Sequence, residues 1–215
     1  MISIEDIICF ENNFARSFAQ VEERDYGLLF YNRENLVSHD SNHALILNLG
    51  CDLDAAIADV SGFYKGLGVE PRVNHGFVAG GRDVLLPKLK AGFSSELHDE
   101  DYLVRSALSV IEPINGFILK RVRKLDEAIL EVFKEEGPWS IGVIKRQLAR
   151  EDYHLLVGYV ADVPVTAASL DVAKKVSRVD DVMTHPEHRR KGYGRALMHG
   201  FVDYHREVSG NALYL

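Results

Sequence analysis

The pattern of hydrophobic and polar positions predicts alternating strands and helices in the second half of the chain. Apolar and β-branched runs predict strands there, and apolar residues three or four positions apart predict helices. The predicted strands cover residues 117–122, 153–160, 165–172, 176–184 and 212–215, and the predicted helices cover residues 126–136, 140–150 and 190–208. This order of elements indicates an α/β fold.

The first half also mixes the two spacings. Its predicted helices cover residues 1–24, 52–66 and 85–91, and its predicted strands cover residues 26–31, 44–49, 71–77 and 101–110. Pro113, Asn115 and Gly116 then fall close together, which is typical of a linker. The pattern therefore predicts an N-terminal α/β half over residues 1–112 and a C-terminal domain over residues 113–215.

Composition excludes several classes of protein. Hydrophobic residues make up 47% of the chain and charged residues 27%, as in ordinary globular domains. The net charge of −7 argues against non-specific binding to nucleic acid. No apolar run approaches the roughly 18 residues of a membrane helix, and the first six residues include acids where a signal peptide has basic residues. We therefore expect a cytoplasmic protein with no membrane or nucleic-acid partner.

The thiol and imidazole groups give little sign of a metal site. The two cysteines, Cys9 and Cys51, form no C-x-x-C pair. His39 and His43 lie four residues apart, but the polar residues between them are typical of a loop rather than of a helix that would align both rings. No metal is expected.

A basic, glycine-rich turn separates the predicted strand 176–184 from the helix that follows. It contains Arg189, Gly192 and Gly194, with three further basic residues beside them: Arg190, Lys191 and Arg195. Glycines at a helix start let a ligand approach the backbone closely. The first amides of a helix lack internal partners, and the helix dipole favours an anion there. The turn therefore has the features of a pyrophosphate cradle. The alternative is an ordinary strand-to-helix turn with a solvated basic face.

Residues 182–197 read V-x-T-x-P-x-x-R-x-x-G-x-G-x-x-L, which resembles motif A of the GNAT superfamily, the Gcn5-related N-acetyltransferases. The resemblance covers about residues 114–215 and implies a mixed, mostly antiparallel sheet with flanking helices. The N-terminal half, expected to pack against it, is similar to the degenerate GNAT-like halves that accompany some of these domains. The alternative is an unrelated, accessory α/β region.

The resemblance also implies a function, the transfer of an acetyl group from acetyl-CoA to an amine by direct attack in a ternary complex. It assigns the thioester and pantetheine to the main chain of Val182, Met183 and Thr184. The phosphates would meet the side chains of Arg189, Arg190 and Lys191 and the main chain of a run of six residues: Arg190, Lys191, Gly192, Tyr193, Gly194 and Arg195.

The acetyl acceptor needs a base, and two carboxylates on the same strand are candidates. Successive side chains of a strand face opposite sides, so only one of Asp180 and Asp181 should face the acceptor. Relatives with Glu-Asp at this point imply that the first acid is the base, which favours Asp180 over Asp181. The alternative is that both are strand-end acids paired with Arg178 or with water.

The resemblance departs from the family pattern after the last predicted strand. Family members continue with a further helix and two strands, which the predicted C-terminal domain lacks. The N-terminal half or a second copy in a homodimer would then complete the sheet, or the protein would be less active. A rival function is a non-catalytic acyl-CoA-binding or regulatory module that keeps the turn without the chemistry.

Overall fold

The computed structural model describes residues 3–74, 76–95, 101–104 and 112–215. The chain forms two compact units: Ile7–Glu100 makes one, and Met1–Asp6 with Asp101–Leu215 makes the other. The domain boundary predicted after residue 112 stays a prediction.

A four-stranded sheet forms the centre of the unit Ile7–Glu100. Its strands, in the spatial order β1-β2-β3-β4, are β1 (Gln20–Arg24), β2 (Gly27–Tyr31), β3 (His43–Ile46) and β4 (Val73–Asn74). Strands β1, β2 and β3 are antiparallel, whereas β4 runs parallel to β3. The helices of the first hundred residues are α1 (Ile4–Phe14), α2 (Leu53–Gly66) and α3 (Gly81–Leu89).

The core of this unit lies between the sheet and helix α2. Its buried residues include Leu29 and Ile46 from the sheet and Val60 and Tyr64 from α2. Helix α2 begins after Asp52, whose carboxylate accepts hydrogen bonds from the first amides of the helix. The helix predicted over residues 52–66 is therefore present, at Leu53–Gly66.

The first predicted helix ends early. The helix predicted over residues 1–24 stops at Phe14, and Gln20–Arg24 form strand β1 instead. The misleading signal was the spacing of Phe14 and Phe18, whose rings do pack together at 5.2 Å. Pairing of β1 with the whole of β2 supplies backbone hydrogen bonds that a continued helix would have made internally.

A five-stranded sheet forms the second unit. Its strands are β5 (Phe117–Val122), β6 (Tyr153–Val160), β7 (Val163–Val172), β8 (Val176–Thr184) and β9 (Ala212–Tyr214), in the spatial order β5-β6-β7-β8-β9. Its helices are α4 (Glu127–Val132), α5 (Pro138–Gln147) and α6 (Tyr193–Val208). The first four strands are antiparallel, and β9 runs parallel to β8.

Helices cover both faces of this sheet. Helices α4 and α5 pack on one face, where Phe133 and Ile144 meet Leu155 of β6. Helix α6 packs on the other face, where Phe201 meets Leu156 of β6. Successive side chains of β6 therefore point to opposite faces, as the pleat of a strand requires. The predicted fold class is confirmed: an α/β fold with two mixed sheets and flanking helices.

The outer edge of β9 is paired within the chain. The amide of Leu103 donates to the carbonyl of Leu215 at 2.8 Å, and the amide of Leu215 donates back at 3.0 Å. Residues 101–104 therefore extend the sheet beside β9, as one of the sequence expectations allowed. The rest of the strand predicted there, residues 105–110, lies outside the described residues.

A buried ion pair joins the end of β7 to the segment after α5. The guanidinium of Arg150 donates to both oxygens of Asp171, at 2.7 and 3.2 Å. The side chain of Asp171 is only 4% exposed, and burial raises its pKa although Arg150 opposes this. We expect Asp171→Ala to lower the free energy of unfolding by about 2 kcal/mol, because a partly buried guanidinium loses two charge-assisted hydrogen bonds and keeps only Asp152 at 3.0 Å and Gln147 at 2.8 Å. Urea denaturation measures this loss.

The surface pair of Arg123 and Glu151 provides the matched control. Its nitrogen–oxygen distance is 2.9 Å, but the Glu151 side chain is 86% exposed. Glu151→Ala should leave the urea midpoint nearly unchanged, because solvent screens exposed pairs. Equal midpoint shifts in the two variants would contradict a special contribution from the Arg150–Asp171 pair.

Candidate functional site

The glycine-rich turn adopts a left-handed backbone just before helix α6. Gly192 has φ +86° and Arg190 has φ +63°, so the helix begins at Tyr193 rather than at the predicted residue 190. Gly192 occupies the N-cap position and offers no side chain to the first amides of α6. These amides therefore keep the capacity to bind an anion.

Tyr193, in the first turn of α6, lies against strand β5. Its ring stacks on Phe117 with the centroids 6.1 Å apart and the planes 11° apart. The ring of His188 also lies near Tyr193, with the centroids 6.2 Å apart. The side chain of Tyr193 thus anchors the helix start to the sheet.

The basic residues of the turn fall into two groups. Arg190, Lys191 and Arg195 are exposed, and none of them forms an ion pair with any residue that the structure describes. Arg189 differs, because its guanidinium contacts the carboxylate of Glu135 and donates to the carbonyl of Thr184 at 3.0 Å. The first group is available to an anion, whereas Arg189 ties the turn to the α4–α5 loop.

Strand β8 has one unpaired edge beside this turn. β9 pairs with β8 only at residues 176–178. Within the described part of the chain, residues 179–184 are paired on one side only, by β7. Val182 is 39% exposed on this stretch, and the hydroxyl of Thr184 lies 3.2 Å from that of Thr166. An extended ligand could add to this edge as a further strand.

A β-bulge interrupts β8 at the two predicted acids. In the register with β7, Ser169 pairs with Asp180 and Ala167 pairs with Met183, so β8 carries one extra residue. Asp181 lies in the bulge and has φ +52°, a left-handed conformation that is uncommon outside glycine. The regular alternation of side chains fails at this point.

The carboxylate of Asp181 lies among groups from the two neighbouring strands. Its Oδ2 accepts hydrogen bonds from the hydroxyl of Ser169 at 2.8 Å and from that of Tyr153 at 3.3 Å. Burial, and next the charge of Asp180, raise the pKa of Asp181 to about 7, although the two hydroxyls and Arg178 oppose this. An aspartate with this pKa exchanges its proton near neutral pH.

The side chain of Asp180 is more exposed to solvent than that of Asp181. Its side chain is 37% exposed and lies 3.4 Å from the guanidinium of Arg178, the ion pair that the sequence offered as an alternative. Its Oδ1 also accepts a hydrogen bond from the amide of Asp181 at 3.0 Å. Ser169 pairs with Asp180 and bonds Asp181, so the bulge brings both acids to one face of the sheet, contrary to the expected alternation.

The sequence did not identify Ser169 as part of this site. It lies 12 residues from Asp181, on a strand with no motif, and only the register of β7 against the bulge brings the two together. Tyr153 lies 28 residues from Asp181, on strand β6. Because these contacts depend on strand pairing, local sequence carries no signal for them.

Two negative findings apply to the described residues. No group of three or more His, Cys, Asp or Glu side chains lies close enough to hold a metal ion. No described helix has both the length and the apolar character needed to cross a membrane.

Comparison with known proteins finds a family match within the second unit. Residues 119–215 match the model of the Acetyltransferase (GNAT) family. No curated protein matches the chain.

Among solved structures, a GCN5-related N-acetyltransferase from Kribbella flavida aligns with a TM-score of 0.67 at 16% identity, over 98% of this chain and 84% of its own. A GNAT family acetyltransferase from Staphylococcus aureus aligns over 46% of this chain and 84% of its own, with a TM-score of 0.38 and 15% identity. One from Elizabethkingia anophelis, solved with acetyl-CoA bound, aligns over 44% of this chain and 60% of its own, with a TM-score of 0.38 and 9% identity.

The Kribbella flavida structure supports the fold over nearly the whole chain, since it aligns over 98% of the chain with a TM-score of 0.67. The family match falls on the unit that holds the basic turn, the open edge of β8 and the bulge. Residues 119–215 of this chain are therefore similar to the acetyltransferase domain of the GNAT family, the family whose model they match.

Proposed function

We propose that the chain is an N-acetyltransferase that transfers an acetyl group from acetyl-CoA to an amine by direct attack in a ternary complex. The observation that carries this proposal is the uncapped start of helix α6 behind the left-handed Gly192, next to the unpaired edge of β8. Together they supply two of the features that a CoA thioester needs, a phosphate site and an edge for an extended arm.

The pyrophosphate would bind the amides of Gly192, Tyr193 and Gly194 at the start of α6. Arg190 and Lys191 would add positive charge, since both are exposed and form no ion pair with described residues. Arg189 would act mainly by holding the turn, because its guanidinium already contacts Glu135 and the Thr184 carbonyl.

The pantetheine arm would pair with the open edge of β8. The main chain of Val182, Met183 and Thr184 lies on that edge and would meet the amide groups of the arm and the thioester. A backbone amide at the thioester oxygen would stabilise the negative charge that builds up during attack.

The reaction has a simple balance of atoms and protons. The acceptor nitrogen attacks the carbonyl carbon of the thioester, the new C–N bond forms, and the C–S bond breaks. The proton lost by the nitrogen goes to a protein carboxylate and then to solvent, and the departing thiolate takes up one proton. A carboxylate near the thioester is therefore required as base or proton relay.

We assign that role to Asp181 rather than to Asp180. The bulge turns Asp181 beside Ser169 and Tyr153, and its pKa of about 7 makes it a stronger base than an ordinary aspartate. Asp180, paired with Arg178, is better suited to raising the pKa of Asp181 through its charge.

Calorimetric titration with acetyl-CoA, followed by thiol release with a panel of primary amines, tests the proposal. We expect binding at micromolar concentration or tighter, which is a free energy of about −8 kcal/mol, and turnover of at least one amine. Binding without turnover on any amine would favour the non-catalytic acyl-CoA-binding module. Absence of binding would overturn both functions.

Several features stay predictions. These are the cytoplasmic location, the absence of nucleic-acid and membrane partners, the homodimer and the similarity of the N-terminal half to degenerate GNAT-like halves. The acceptor is defined only as an amine.

A further inference from the structure

The hydrogen bonds around Asp181 are asymmetric. Ser169 and Tyr153 both donate to Oδ2 of Asp181, at 2.8 and 3.3 Å. Oδ1 of the same carboxylate accepts no hydrogen bond from any residue that the structure describes. One oxygen is therefore held by the sheet, and the other is left for a ligand or for water.

The two donors are themselves fixed in place. Ser169 is 1% exposed and Tyr153 is 2% exposed, and they lie on the adjacent strands β7 and β6. Tyr153 packs in the core between the sheet and helices α4 and α5, so its ring has little freedom to turn. The left-handed backbone of Asp181 also fixes the direction in which its side chain leaves β8.

From this geometry we propose that Ser169 and Tyr153 are positioning residues, which hold Oδ2 of Asp181 so that Oδ1 is the oxygen that takes the proton from the acceptor amine. The catalytic part of this inference rests on the proposed function. The positioning itself is a property of the unliganded protein and can be tested without turnover.

The charged and titratable groups facing Asp181 predict the consequence of losing one donor. They are Tyr153 from β6 and Asp180 and Arg178 from β8, with the Arg150–Asp171 pair beyond Arg178. Asp180 favours the protonated carboxyl, whereas Arg178 and the two hydroxyls favour the carboxylate. Removing the Ser169 hydroxyl therefore removes a group that stabilises the charged form, and the pKa of Asp181 should rise.

The test compares Ser169→Ala with Ser169→Thr, which keeps a hydroxyl, and with Ser177→Ala. Ser177 is a matched control, because it is fully buried in the same sheet but its hydroxyl lies by Ser209, at 3.4 Å. In the unliganded protein, carboxyl carbon NMR follows the titration of Asp181, whose signal is assigned by its loss in Asp181→Asn. Steady-state rates with acetyl-CoA and an accepted amine are then measured between roughly pH 5 and pH 9, about two units on each side of the expected titration.

We expect Ser169→Ala to raise the titration midpoint by about one pH unit, and the acid limb of kcat to move by the same amount. At pH 7 this lowers kcat about fivefold, with little change in the KM for acetyl-CoA and recovery at higher pH. Tyr153→Phe should shift both curves in the same direction but by less, since its bond is longer. Ser169→Thr and Ser177→Ala should leave both curves near those of the wild type.

Two results would overturn the inference. An unchanged NMR titration in both Ser169→Ala and Tyr153→Phe would show that the hydroxyls do not hold the carboxylate. A shifted titration with an unmoved acid limb would show that the held carboxylate is not the group that takes the proton. If the wild type turns over no amine, the proposed function fails, and the NMR titration still decides whether the two hydroxyls position Asp181.

Discussion

Gly194→Asp is expected to abolish acetyl-CoA binding while leaving the fold intact. A Cβ built on Gly194 would lie 3.4 Å from the Thr184 hydroxyl, an ordinary contact distance, so the helix can accept a side chain there. A carboxylate in the first turn of α6 interacts favourably with the helix dipole but repels a pyrophosphate at the same amides. The affinity should fall at least 100-fold, about 3 kcal/mol, in a calorimetric titration.

Gly194→Asn separates the effect of charge from that of size, because the asparagine side chain has the same shape as that of aspartate and carries no charge. It should retain more affinity than Gly194→Asp, and the melting temperatures of both unliganded variants should stay close to that of the wild type. Wild-type affinity in Gly194→Asp would show that the start of α6 is not the phosphate site. Gly192 is less suitable for this test, because its φ of +86° would strain any other residue.

Asp181→Asn is expected to lower kcat about 100-fold at pH 7 without weakening acetyl-CoA binding, as is typical for loss of a general base. Since the pKa of Asp181 is raised to about 7, the carboxyl is protonated below that pH and cannot accept a proton. The wild-type rate should therefore rise as pH increases through 7, and the variant should lose this limb. Rate profiles for both proteins measure the effect.

Asp180→Asn serves as the comparison and should reduce kcat much less than Asp181→Asn. The reverse order would return the role of base to Asp180, as the sequence first indicated. A wild-type rate profile in Asp181→Asn would exclude Asp181 as the base.

Stability gives a check on the same pKa that does not depend on activity. The folded pKa of Asp181, about 7, lies above its unfolded value. The stability that the protonated group contributes is thus complete below the unfolded pKa, near 4, and is lost as pH rises through 7. Asp181→Asn has no such loss. Its free energy of unfolding, compared with that of the wild type, should therefore rise by about 2 kcal/mol between pH 5 and pH 8.

Local sequence was sufficient for the features that depend on neighbours along the chain. The strands of residues 153–160 and 176–184 were predicted at their observed limits, because their apolar and β-branched runs end at turns. The hairpin between β6 and β7 turns through Ala161 and Asp162, both with positive φ, which lie between the strands predicted over residues 153–160 and 165–172. The glycine-rich start of α6 was visible for the same reason, since a glycine N-cap is a local property.

Sequence alone therefore determined the α/β class, the GNAT-like turn and the candidate acids of β8. Only the tertiary structure decided that a bulge turns Asp181 towards Ser169 and Tyr153, that Arg189 contacts Glu135 54 residues away, and that residues 101–104 extend the sheet. The physical reason is that strand register and burial arise from contacts between distant segments. The hydrogen bonds and pKa of a carboxyl follow from those contacts and not from the residues beside it in the chain.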